Sequence, residues 1–153
     1  MDSQALLTAK LCVFEVPGLK DHGFALTLPE VLAVGALAEI QPVPFCPPYV
    51  LGLSLWRDQL VTVIDLAAAM TDTKADPHHV IVASRYLIGQ AIWGDRRELF
   101  AWSILRGTDT YSVLLNSVQL SQDITLRRNL IFSVIHSEER EILLVNTAGF
   151  ISN

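Results

Sequence analysis

A chain of 153 residues with 51% apolar and 18% charged side chains is long enough to bury a core of its own and far from the composition that keeps chains disordered. A net charge of −5 with Lys and Arg scattered along the chain gives no basic stripe, so nucleic acid is excluded as an expected partner. The longest uncharged apolar run, Val31 to Ala38, falls short of the ~20 residues of a membrane-spanning helix, and Met1 to Lys10 lacks the basic flank and apolar core of a secretory signal, so the expected address is cytoplasmic, without membrane insertion.

Lys10 to Val16 alternates, Leu11 and Val13 on one face and Cys12, Phe14 and Val16 on the other, the period of a strand. Pro17 and Gly18 end it, and a polar loop through Lys20 to Gly23 leads to a second, antiparallel strand at Phe24 to Leu28. Val31 to Ile40, with Gly35 in its middle, reads as a bent strand. Gln41 to Pro48 holds Pro42, Pro44, Pro47 and Pro48, a stiff connection short of backbone donors. Gly52 to Trp56, a turn at Arg57, Asp58 and Gln59, and Leu60 to Ile64 form a hairpin. Asp65 then precedes Leu66 to Met70 as a helix N-cap.

Thr71 to Pro77 is a polar linker near the middle of the chain. Val80 to Trp93 carries a helix-start signal at Asp76 and Pro77 but favours strand by its β-branched residues. Gly94 to Arg97 is a turn before a strand at Leu99 to Leu105. Further strands are expected at Thr110 to Leu115, Leu130 to Ile135 and Glu141 to Asn146, with a turn at Ser137 to Arg140 joining the last two. About ten short strands at such spacing indicate an all-β domain, best met by two small barrels sharing one core over residues 1–153, with a subdomain boundary near 71–77.

No catalytic or metal-binding constellation is legible. Asp65, Asp72 and Asp109 lack the following glycine of an aspartic-protease turn, and none of Ser54, Ser84 and Ser103 has glycines at both plus and minus two, as a nucleophile elbow requires. His78 and His79 are adjacent and read as solvated linker histidines, with His22 and His136 far away in sequence. Cys12 and Cys46 form no CxxC pair and read as two buried thiols. Recognition through surface contacts is the expected mode of action.

Gly52 to Leu66 resembles the most diagnostic stretch of the CheW-type coupling proteins: a glycine, a few residues, Leu-Arg-Gly, then a hydrophobic strand ending Asp-Leu. Gly52, Arg57, Asp65 and Leu66 fall at matching positions, while Trp56 and Asp58 replace the usual leucine and glycine. Leu11 to Val16 with Phe24 to Val34 is similar to the opening hairpin of that family, Val31 at its recurrent valine, although Ala25 and Ala33 stand where glycine and an acidic residue are frequent. Glu141 to Asn146 with Phe150 and Ile151 is similar to its closing strand and helix. Leu105 follows Ile104 where the family has Val-Asp.

The resemblance implies two five-stranded SH3-like barrels with the N-terminal strand packing on the second half. It implies a non-catalytic adaptor without cofactor, bridging the regulatory domain of a CheA-type histidine kinase and the cytoplasmic tip of a chemoreceptor, in chemotaxis-like or pilus-motility signal transduction. The question of a homodimer stays open. Arg57, Val31, Gly52, Trp56 and Asp58 are the candidate contact residues. Arg57 reads as a receptor or kinase contact or as a solvated or internally bracing arginine, Val31 as part of a receptor-facing groove or as core, and Trp56 as an interface anchor or as a buried strand tryptophan. The alternative function is a small β-barrel domain binding a metabolite in the cleft between its halves.

Overall fold

The computed structural model describes residues 8–19, 21–79, 85–105, 109–114, 118–119, 130–136 and 141–150. The expected turn at Ser137 to Arg140, and the expectations placed on Met1 to Leu7, Val80 to Ser84, Leu115 and Ile151, lie outside these residues. Eleven strands are present among the described residues: β1 (Thr8–Phe14), β2 (Gly23–Thr27), β3 (Val31–Gly35), β4 (Val50–Trp56), β5 (Gln59–Ile64), β6 (Arg85–Trp93), β7 (Arg96–Ile104), β8 (Asp109–Leu114), β9 (Val118–Gln119), β10 (Ile131–His136) and β11 (Glu141–Val145). A helix, α1 (Leu66–Thr71), follows β5, and 3-10 turns occupy Leu28–Glu30 and Thr147–Phe150.

The strands form two sheets. One has six strands in the order β8-β1-β2-β11-β10-β9, and the other has five in the order β3-β6-β7-β5-β4. Within the first, β1 pairs antiparallel with both β2 and β8, and β2 runs parallel to β11. In the second, the end strands β3 and β4 are brought round to each other by the chain between them. Gln41 donates to the Leu53 carbonyl at 2.8 Å and accepts from the Leu53 amide at 2.9 Å, which ties the two ends of the sheet into a ring.

The alternation of apolar residues along each strand sorts the core into three parts. Val61, Val63, Tyr86, Ile88, Leu99 and Ala101 fill the interior of the five-stranded ring, and Leu11, Val13, Ala25, Ile135 and Ile142 pack on the inner face of the six-stranded sheet. Their sequence neighbours, among them Phe14, Phe24, Leu87, Phe100, Trp102, Leu143 and Val145, point the other way into one shared core between the sheets. Successive residues of a strand face opposite sides, so strands apolar on both faces are what two interiors and a common interface require. Each fully buried Phe, Leu or Ile contributes about 1.5–3 kcal/mol. Trp102 stacks on Phe100 at 4.7 Å and tilts against Phe14 at 5.7 Å.

Several details depart from the sequence reading. The polar linker at 71–77 does not separate the sheets, because β5 before it and β6 after it belong to the same one. The chain changes sheet instead at the turn Leu28–Glu30 and after Ile104; polarity marked a surface excursion, not a change of layer. The hairpin turn is two residues, Arg57 and Asp58, with Trp56 facing Gln59. Both helix and strand signals around 77–93 are realised: a helical turn covers 77–79, with Asp76 Oδ1 accepting from the His78 amide at 3.0 Å, and a strand begins at Arg85. Cys12 is buried, but Cys46 sits half-exposed on the proline-rich loop.

Candidate functional site

The β4–β5 hairpin stands at an end of the five-stranded order and carries four of the five candidate residues, Gly52, Trp56, Arg57 and Asp58. Arg57 and Asp58 have φ of 49° and 62°, the left-handed pair that a two-residue type I′ turn demands because its twist matches that of the strands. A glycine or asparagine would adopt this geometry with least strain, and aspartate is the next best tolerated. Asp58 therefore makes the turn without a glycine. The Arg57 guanidinium lies 4.7 Å from the centroid of the Trp56 ring, a cation–π contact of about 0.5–1 kcal/mol at an exposed site. Trp56 itself is half-buried and packs on the interior of the ring of strands.

Gly52 serves the backbone. Its φ is +154°, and a Cβ there would sit 2.2 Å from the Gln41 carbonyl oxygen, so only glycine lets the chain close against β4. Val31 is set apart from the other four. It lies on β3, opposite Gly89, and its half-buried side chain packs on the shared core.

The two-residue turn sets a register that the three-residue reading missed. Leu55 faces Leu60 directly across the hairpin, and both are solvent-exposed, 51% and 66%. A slip of one residue would turn such a pair to the other face, so the apolar patch beside Arg57 became visible only with the register. A hairpin with an exposed apolar outer face is a surface suited to side-chain docking.

A second cluster joins the end of β5 to the linker. Asp65 is buried, and its Oδ1 accepts from the Ala68 amide at 3.2 Å as the N-cap of α1. Its Oδ2 accepts from the Asp76 amide at 2.9 Å and lies 2.8 Å from His79 Nδ1. The reading of His79 as a solvated linker histidine is therefore corrected: it is tethered to a buried carboxylate, and its ring lies over Gly18 on the turn after β1. Sequence offered the adjacent histidines but nothing linking one to Asp65, fourteen residues away. Among the described residues, no group of three or more His, Cys, Asp or Glu side chains is placed to hold a metal ion. In the ring interior, burial holds the Tyr86 phenol above its ordinary pKa of 10.0.

Beside the hairpin, on the outer face of the five-stranded sheet, a groove of about 190 Å³ is walled by Pro47, Tyr49, Ile64, Ala91, Phe100 and Phe150. Phe150 reaches it from the C-terminal 3-10 turn and meets Tyr49 edge-on at 5.8 Å. Thr147 of that turn donates to Glu30 Oε2 at 2.5 Å, while Glu30 Oε1 accepts from the Thr27 hydroxyl at 2.7 Å. The point where the chain enters the five-stranded sheet is thereby fastened to the end of the last described segment.

Among the described residues, no helix is long and apolar enough to cross a membrane. The family model of the CheW-like domain matches residues 10–96, a span that includes the opening hairpin, the whole β4–β5 hairpin and the Asp65 cluster. Comparison with curated proteins gives no match. Among solved structures, the chain is similar to the scaffolding protein TtCheW from Thermoanaerobacter tengcongensis, with a TM-score of 0.73 and 17% identity over 96% of this chain and 90% of that one. At that identity the likeness establishes the fold, and the two joined sheets correspond to the paired barrels of that architecture.

Proposed function

The chain belongs to the CheW-like family, and from that membership we propose that it is a non-catalytic adaptor that couples receptors to a CheA-type histidine kinase in chemotaxis-like or pilus-motility signalling. The observation that carries the proposal is the β4–β5 hairpin, which lies within the matched residues and holds Arg57 over Trp56 beside the exposed Leu55–Leu60 pair. A guanidinium held at a tight turn offers a fork of donors to carboxylates or carbonyls of a partner, and the adjacent leucines supply apolar area. The kinase regulatory domain and the cytoplasmic tip of a chemoreceptor are the proposed partners. The proposed contact residues are Arg57, Trp56 and Asp58, with Gly52 shaping the strand beneath them and Val31 contributing from β3.

Among the described residues, the groove does not support the alternative of a metabolite bound in the cleft. The groove at about 190 Å³ is below the roughly 300–1,000 Å³ of ordinary small-molecule sites.

The test is calorimetric titration of the purified chain with the regulatory domain of a CheA-type kinase from the same genome, and with a receptor tip fragment. Arg57→Glu should weaken at least one of these interactions by roughly tenfold or more, the scale of a lost charge-assisted contact. Arg57→Asn, which suits the left-handed turn, controls for damage to the hairpin and should weaken binding with no loss of melting temperature. Binding to neither partner would overturn the proposal, and a thermal-shift screen that found a stabilising metabolite instead would revive the alternative.

A further inference from the structure

We infer that the tip of the β4–β5 hairpin is a bipolar docking point, at which Asp58 receives a lysine or arginine of the partner protein beside the acceptor that meets Arg57, so that Asp58 decides which partner is bound. The inference rests on the adaptor reading of this hairpin and adds the chemistry of what it binds. Arg57 and Asp58 are consecutive, both exposed, and both in the left-handed region, with φ of 49° and 62°. A two-residue turn whose only task is to reverse the chain is made with least strain by asparagine and glycine. A charged pair at these positions strains the backbone and adds nothing to the reversal, and such strain gathers at binding sites. Turn aspartates commonly hold their own backbone through the carboxylate. Among the described residues, the Asp58 carboxylate accepts no hydrogen bond and joins no ion pair.

The two charges do not cancel each other. The Arg57 guanidinium is drawn back over the Trp56 ring at 4.7 Å, and it forms no ion pair with its neighbour. In the same sheet, by contrast, Arg96 is paired with Glu98 at 2.6 Å and Arg97 donates to Gln90 at 2.5 Å. The turn thus fixes a cation and an anion one residue apart, each without a charged partner, at the end of the exposed Leu55–Leu60 pair. The complement of that surface is a protein segment with apolar side chains for the leucines and, at one end, a carboxylate or carbonyl next to an ammonium or guanidinium. A segment with acidic residues alone would bring like charge against Asp58, which is costly across an interface. In a chain of net charge −5, an exposed carboxylate at the tip also steers a basic segment during encounter.

Titration of the full chain with the kinase regulatory domain and with the receptor tip fragment, at about 50 and about 500 mM salt, tests it. For the partner whose binding Arg57→Glu weakens, Asp58→Asn should weaken binding about two- to fivefold at the lower salt and leave it nearly unchanged at the higher, the scale of one exposed ion pair. Asp58→Lys should weaken it further. Asp58→Gly relieves φ of 62° and should melt at or above the wild-type temperature, yet bind as weakly as Asp58→Asn; a purely structural role would move stability and affinity together. Replacing the partner's exposed lysines and arginines by glutamate, one at a time, should find a position whose loss Asp58→Lys restores. Asp58→Asn and Asp58→Gly binding like the wild type at both salts overturns the inference and leaves the adaptor reading standing. So does tighter binding by Asp58→Lys, binding that Arg57→Glu leaves unchanged, or a partner scan that finds no such position. A wild type that binds neither partner overturns both.

Discussion

Replacing Gly52 by alanine should be among the most damaging single-methyl changes in this protein, and the structure lets its magnitude be built from parts. The new Cβ would lie 2.2 Å from the Gln41 carbonyl oxygen and 2.7 Å from its carbon, which are backbone atoms fixed by both hydrogen bonds to Leu53. Relieving the clash breaks that bridge, at about 0.5–1.5 kcal/mol for each bond, and φ of +154° adds about 1–3 kcal/mol for a residue with a Cβ. The sum is roughly 2–6 kcal/mol, and at about 2–4 °C per kcal/mol for a chain of this size the melting temperature should fall by roughly 5–20 °C. Two other glycines separate the steric cost from the conformational one. Gly94 has φ of +61° with open space around it, so Gly94→Ala should carry only the conformational cost, while Gly35 has open space and no positive φ, so Gly35→Ala should be neutral or slightly stabilising. Thermal melts by circular dichroism in this series give the order; Gly52→Ala melting with Gly94→Ala would show that the contact with Gln41 yields at no cost, and the argument for ring closure would fail.

Asp65→Ala strands the Ala68 and Asp76 amides and the His79 ring around a buried vacancy and should cost about 3–5 kcal/mol, against about 1–2 kcal/mol for His79→Ala. The double variant in a denaturant-unfolding cycle should fall short of the sum by 0.5 kcal/mol or more, roughly; strict additivity would refute the tether. Burial raises the Tyr86 pKa above 10.0, so the folded state retains that proton longer than the unfolded chain. Its contribution is complete below 10.0 and declines as pH rises from there through the raised native value. Tyr86→Phe should flatten the alkaline fall in melting temperature, and an unchanged slope would rule the tyrosine out as its source.

The alternation Leu11, Val13 against Cys12, Phe14, Val16 was legible as a strand because its period is local, while the division of the core into three parts came with the structure. Asp65 as a cap and the residues of the β4–β5 hairpin were equally legible, because capping and turn formation act over three or four residues. Family membership followed from the same short stretch, where Gly52, Arg57, Asp65 and Leu66 keep their spacing. What failed involved separation along the chain. Polarity at 71–77 looked like a boundary, yet the parallel pairing of β5 with β7 holds both sides of it in one sheet. His79 looked solvated because its partner lies fourteen residues upstream.

The sequence by itself determined the strand-rich class, the local turns and the family, because each depends on periodicity or on neighbours a few residues apart. Only the tertiary structure decided which surface those elements present: the register that exposes Leu55 and Leu60, the closure that requires Gly52, and the groove beside Phe150. Those features arise where segments distant in the chain converge, and the free energy that brings them together comes from burying both faces of the strands at once, which no local pattern records.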